Sequence, residues 1–232
     1  IEFLKTAFRN KRQVLIKGAP GIGKSDVVDK ATSEISAALI TKHPAVAESI
    51  DAKGLPSFDE IDGGKIARFF PFYDLHQMMT ATQLTVVHLE DFGQAFPSTQ
   101  ASYMQLLLRR EINGHKISPH VVFTATTNDI KDSAGVGGLL EPVKSRFHTI
   151  MELEVSLDDW VNWAIDVNMP SWLIAYIRTC PDALHEFKPT KALVNSPCPR
   201  TWASVGQWDN QGVANLEVWS GSVGKGRAAE AY

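Results

Sequence analysis

Eight consecutive residues limit what this chain can fold into: Gly18-Ala19-Pro20-Gly21-Ile22-Gly23-Lys24-Ser25. They fit G-x-x-x-x-G-K-[ST] at every fixed position. Each residue type has a physical task there. Gly21 and Gly23 permit backbone angles that turn successive N–H groups inward, which makes a nest for an anion. The helix expected to follow, from Asp26, adds the partial positive charge of its N-terminus. Lys24 reaches the β- and γ-phosphates, and the Ser25 hydroxyl ligates Mg²⁺. The candidate nucleotide-binding residues therefore run from Gly18 to Asp26. The flanks agree. Gln13–Lys17 (QVLIK) has the length and apolar content of a buried strand, and Asp26–Ile40 has helical spacing. Strand, glycine loop and helix open a βαβ unit. The expected fold is an α/β P-loop three-layer sandwich with a mostly parallel, five-stranded sheet.

A phosphate loop needs a partner that holds the metal and a base that orients water. The apolar run Leu84–Leu89 (LTVVHL) ends directly in two acids, Glu90 and Asp91. Glu90 falls at the metal position and Asp91 at the water-orienting position. The usual order is Asp then Glu, so the pair is reversed. Glu90 reaches one methylene further than Asp would, and Asp91 falls one short, so either hydrolysis is slow or a water bridges the gap. The alternative is that both acids cap the segment near Ser98 or are merely solvated.

The rest of the chain divides by texture. Thr41–Tyr73 holds Pro44, Pro56, Pro71 and Gly63–Gly64 and is expected as loops with short strands. Leu75–Thr82 looks helical. Ser98 is the expected N-cap of a helix ending at Arg110, where Arg109 and Arg110 complement the helix dipole. Asn113–Gly114 predicts a two-residue hairpin. Val121–Thr126 predicts a third strand, ending near Asn128, and Met151–Val155 a further one. Gly135–Gly138 is expected as a loop. Beyond residue 155 the pattern is helical, opening with the capping sequence Ser156-Leu157-Asp158-Asp159. Helices are expected from there and around 171–179, 200–208 and 214–219, with Gly221–Gly226 a loop. All six tryptophans fall between 160 and 219 and are expected to form this region's core. The domains read as residues 1–155, an α/β nucleotide-binding core, and 156–232, a helical lid continuing beyond Tyr232.

Composition removes other classes. The 232 residues carry a net charge of -3, so no general basic field favours nucleic acid or an acidic membrane, though a local patch is compatible with it. Two cysteines exclude a disulfide framework and a cysteine-rich zinc site. The seven histidines lack zinc-site spacing; His88, inside the acidic strand, reads as a packed, hydrogen-bonded side chain. No apolar run approaches the roughly 18 residues of a membrane span, so a cytoplasmic protein is expected. The start at Ile1, with neither Met nor a signal-peptide pattern, reads as the front of a fragment.

The chain resembles AAA+ ATPases, and within them the MoxR-like group of bacteria and phages. The likeness rests on GAPGIGKS, HLEDFGQA, Lys53-Gly54-Leu55-Pro56, QASYMQLLLRREINGHKI, ATTND, GLLEPVKSRF and Pro199-Arg200-Thr201-Trp202, in that order, over nearly the whole chain. The resemblance implies further roles. Asn128 matches the sensor-one position, which holds the attacking water and feels the γ-phosphate. Arg146 matches the arginine finger that completes a neighbouring subunit's site. Arg200 matches the sensor-two arginine, acting on the same subunit's nucleotide. The hairpin at Asn113–Gly114 matches an insertion that faces the ring pore or the partner. Without the resemblance, Asn128 reads as a turn former, Arg146 as a surface ion-pair residue and Arg200 as a helix-start residue packed on Trp202. The resemblance implies ATP and Mg²⁺ as cofactors and a homo-oligomeric ring, expected as a hexamer. The ring would remodel a protein partner, such as a von Willebrand factor A-type protein, or assist complex or metal-centre assembly. The alternatives are a nucleic-acid motor or loader, and a scaffold that binds ATP without hydrolysing it.

Overall fold

The computed structural model describes residues 1–129, 137–188, 190 and 192–232; the expected loop over 135–138 lies partly outside them. By packing, the chain forms two units. One holds Ile1–Lys17 and most of the chain from Lys24 to Glu152; the other holds Gly18–Gly23 and Leu153–Tyr232.

The first unit is built on a five-stranded sheet of β1 (Val14–Lys17), β2 (Ala38–Lys42), β5 (Thr85–Leu89), β8 (Val121–Thr127) and β9 (Thr149–Glu152). Their order is β2-β5-β8-β1-β9, and all four pairings are parallel. Every residue of β5 and β8 is buried. A parallel strand covered on both faces has no solvent side to alternate toward, so even Thr85, His88, Thr124, Thr126 and Thr127 are buried in them. The helices of this unit are α1 (Glu2–Arg9), α2 (Lys24–Glu34), α3 (Ser49–Lys53), α4 (Tyr73–Thr80), α5 (Pro97–Arg109) and α6 (Glu141–Lys144). Leu15, Val87, Leu89, Phe92, Tyr103 and Phe123 belong to one buried cluster.

Four local expectations are corrected here. The helix from the phosphate loop ends at Glu34 rather than Ile40. Ser36 takes a left-handed φ of 53°, and Ala38–Lys42 pairs with Thr85–Leu89 as β2. The β-branched content of that run and a place on the sheet outweigh its helical spacing. The Thr41–Tyr73 segment contains α3 and a regular hairpin of β3 (Leu55–Ile61) and β4 (Gly64–Phe70). Asp62 and Gly63 turn it, with φ of 53° and 75°, the left-handed pair that a two-residue turn requires. Ser98 is not an N-cap: α5 starts at Pro97, with Phe96 at the cap position. Proline's fixed φ and missing N–H suit that first turn. Arg110 lies just past α5 with φ 56°, and its Nη2 donates to the carbonyls of Ser118 (2.7 Å) and Val121 (2.8 Å). It braces the entry to β8, and burial lowers its pKa. The Asn113–Gly114 hairpin forms as expected between β6 (Glu111–Ile112) and β7 (His115–Lys116).

The second unit is helical: α7 (Leu157–Asp166), α8 (Ser171–Thr179), α9 (Pro199–Asn210), α10 (Leu216–Val223) and α11 (Lys225–Ala231). Ser156 caps α7, its Oγ accepting from the Asp159 N–H at 3.2 Å. Trp202 is fully buried and donates through Nε1 to the Ala183 carbonyl at 2.7 Å. Trp172 and Trp219 stack at 4.5 Å between ring centroids. Not all six tryptophans are core: Trp163 and Trp208 are exposed. The chain turns between α10 and α11 at Gly224, with φ 79°; most of the 221–226 segment expected as a loop is helical.

Candidate functional site

The loop after β1 has the backbone its glycines allow. Gly21 (φ 74°) and Gly23 (φ 91°) occupy the left-handed region closed to most side chains. Lys24 and Ser25 then form the first turn of α2, where main-chain N–H groups lack helical acceptors and suit an anion.

Lys24 is 7% exposed, and its Nζ donates to Asn128 Oδ1 at 2.7 Å. Asn128 follows β8, the neighbour of β1, so sheet order brings the two together. The Ser25 hydroxyl hydrogen-bonds to Glu90 Oε1. Glu90 follows β5, and its N–H donates to the Lys42 carbonyl at 2.8 Å. Its other carboxylate oxygen, Oε2, lies 3.1 Å from His43 Nδ1.

His43 was not singled out by the sequence reading. It directly follows β2, and the pairing of Lys42 with Leu89 sets it beside Glu90. That pairing was the missing signal, because residues 38–40 read as the end of a helix and 41–42 as the start of a loop region. Asp91 takes a left-handed conformation (φ 50°, ψ 37°), which Asp tolerates better than most residues. Its N–H donates to Thr126 Oγ1 at 3.3 Å. The same hydroxyl lies 3.1 Å from His88 Nε2. His88 is fully buried, as expected for a packed side chain. Burial pushes its pKa down to about 4; Glu90 opposes that shift and His43 adds to it. Asp29, one turn beyond Ser25, has its pKa raised by partial burial and then by Asp26 and Glu90.

The arrangement thus joins Lys24 to Asn128 and Ser25 to Glu90. The Ser25 hydroxyl and the Glu90 carboxylate are hard oxygen donors, and this set fits Mg²⁺, which takes few protein oxygens and keeps waters and phosphate oxygens as its other ligands. Among the described residues there is no group of three or more His, Cys, Asp or Glu able to hold a metal by themselves. Arg146 follows α6 and donates from Nη1 to Ser145 Oγ at 3.4 Å; its Nε is buried with no hydrogen-bond partner among the described residues. In the second unit, the Arg200 N–H at the start of α9 donates to the Gly21 carbonyl at 3.0 Å.

No protein-family model and no curated protein matches the sequence. Solved structures do match by shape. The Thermotoga maritima RuvB Holliday junction branch migration motor matches with a TM-score of 0.56 and 14% identity, over 98% of this chain and 64% of that one. A point variant of Thermotoga maritima RuvB matches at 0.54 and 12%, over 98% and 65%. The chain thus spans just under two thirds of the length of these RuvB chains. At such identity the likeness is one of fold: this chain has the P-loop α/β architecture of RuvB, a parallel five-stranded sheet flanked by helices with a helical C-terminal region.

Proposed function

We propose that the chain binds ATP through Gly18–Ser25 and hydrolyses its β–γ phosphoanhydride with Mg²⁺, as a MoxR-like AAA+ ATPase working in a homo-oligomeric ring. The observation that carries this reading is the double pairing of Lys24 with Asn128 and Ser25 with Glu90. Two groups suited to phosphate and metal are each held against a side chain from another strand end.

The nest and Lys24 bind and orient the triphosphate. Bound Mg²⁺ would neutralise charge on the β- and γ-oxygens, with Ser25 and Glu90 holding it. Asn128 senses whether a phosphate engages Lys24; its hydrogen bond to the Lys24 ammonium supports this reading. Asp91 orients the attacking water. Arg200 serves the same subunit's nucleotide, and Arg146 supplies the neighbour's finger, which requires a ring, with a hexamer expected. The ring's work would be remodelling a protein partner, of the von Willebrand factor A type, or assisting complex or metal-centre assembly. No described helix is long and apolar enough to cross a membrane.

The fold shared with a branch migration motor favours a second reading, a nucleic-acid motor or loader; the net charge of -3 supplies no field for it. The reversed Glu90–Asp91 order favours a third, a scaffold that binds ATP but scarcely turns it over.

Steady-state ATPase activity against protein concentration separates the three, with Lys24→Ala and Arg146→Ala alongside and with duplex DNA added. The ring ATPase predicts turnover rising cooperatively with concentration and lost in both variants. Stimulation by DNA points to the motor. Lys24-dependent ATP binding without turnover points to the scaffold.

A further inference from the structure

Within the second unit, the first turn of α9 grips the phosphate loop at Gly21 in two ways. The Arg200 N–H donates to the Gly21 carbonyl at 3.0 Å. The Cys198 sulfur fills the space where a side chain on residue 21 would stand: a Cβ there would lie 2.5 Å from Sγ and 3.4 Å from Cys198 Cβ. Gly21 is thus held through its main chain on one side and packed by a thiol on the other.

Cys198 is itself fixed. It is 6% exposed. Its N–H donates to Thr201 Oγ1 at 2.9 Å, and its sulfur accepts from the Thr201 N–H, closing a capping box. Thr201 Oγ1 is tied in turn to the Ser196 carbonyl at 3.1 Å. Sulfur is a weak acceptor, and Ser, Asn or Asp would cap α9 better. What cysteine supplies here is bulk and an apolar surface against the loop. On the open side lies a cavity of about 300 Å³, bordered by Pro20, Gly21, Phe187, Cys198 and Arg200. A larger group at 198 therefore has two outlets, the cavity or the loop, and on the loop side the free space is no more than the missing Cβ of Gly21 leaves.

We propose that Cys198 is a positioning residue for the phosphate loop: its sulfur sets where Gly21 sits, and through Ile22–Gly23 the aim of the N–H nest and of Lys24. This rests on reading Gly18–Ser25 as a nucleoside-triphosphate site. Close-packed contacts tolerate a near-isosteric swap but not added atoms. Nucleotide affinity should therefore follow the size of the group at 198 and not its hydrogen bonding.

The test uses the full chain in a Cys180→Ser background, with a fluorescent N-methylanthraniloyl-ATP plus Mg²⁺ as probe. Methyl methanethiosulfonate adds one S–CH₃ to the Cys198 thiolate, which displaces methanesulfinate; dithiothreitol takes the group off again. Cys198→Met and the methylthiolated protein are expected to bind the probe about tenfold or more weakly, and dithiothreitol to restore the labelled protein. Cys198→Ser is expected to stay within about threefold. The melting temperatures of Cys198→Met and Cys198→Ser should move little in comparison. Because the label is added after folding, it provides the answer even if Cys198→Met folds poorly. The proposal is overturned if the labelled protein binds as tightly as the unlabelled. It is also overturned if Ser and Met weaken binding equally while both lower the melting temperature. Binding that persists in Lys24→Ala would remove the nucleotide reading as well; Lys24-dependent binding indifferent to bulk at 198 removes this inference alone.

Discussion

Lys24 is nearly buried, so its ammonium needs partners, and the Asn128 amide is one of them. An ammonium so shielded binds an anion more strongly than one in water. Lys24→Ala is therefore expected to weaken ATP binding about a hundredfold or more by calorimetry. Its melting temperature should change little, because the lost charge had a desolvation cost of its own. The His43 imidazole lies against Oε2 of Glu90, the oxygen not bonded to Ser25. His43→Ala should leave ATP affinity within about twofold but lower kcat about three- to tenfold, because the carboxylate loses one of its two holds; an equal loss in affinity would refute this. His88 sets a pH dependence. Its folded pKa of about 4 lies below the ordinary 6.5, so the unfolded chain takes up the proton first as pH falls. The stability it contributes is full above pH 6.5 and is lost through the window down to pH 4, about 2–3 kcal/mol by pH 4.5. Urea unfolding in metal-free buffer should show that drop, and His88→Gln should show a smaller one.

At the scale of elements, the β3–β4 hairpin is held by its own ladder, with Leu55, Phe58, Ile61 and Ile66 all exposed. It lends nothing to the buried clusters. Replacing 57–68 by Gly-Gly should therefore move the melting temperature by no more than about 2 °C in circular dichroism. Trp202 is the opposite case, fully buried with its indole N–H paired. Trp202→Ala should cost about 3–5 kcal/mol and open the second unit to proteolysis before the first. These elements also mark the limits of local reading. β5 and β8 were visible as apolar runs because both faces are covered. β2 alternates between half-buried and exposed along Ala38–Lys42, so its run merged with the preceding helix. The hairpin carried a turn signal in Asp62-Gly63, but Pro56 and Pro71 at its margins read as loop.

At the scale of the whole chain, each unit has its own buried apolar cluster among the described residues. All six tryptophans lie in the second unit. Tryptophan fluorescence therefore reports that unit alone, while far-ultraviolet circular dichroism reports both. Denaturant curves from the two probes are expected to separate; coincident curves would show a single cooperative transition instead.

The sequence by itself determined the phosphate loop, the apolar strand that ends in Glu90 and Asp91, the Asn113–Gly114 hairpin and the helical character after residue 155. Each is written in consecutive residues, because a turn, a buried strand or an amphipathic helix is set by local backbone preference and period. Only the tertiary structure decided what those pieces meet: Asn128 at Lys24, Glu90 at Ser25, His43 at Glu90, Cys198 at Gly21. Lys24 and Asn128 are 104 residues apart. Strand order and register bring them into contact, and those follow from burying the whole sheet at once, which no local stretch of sequence encodes.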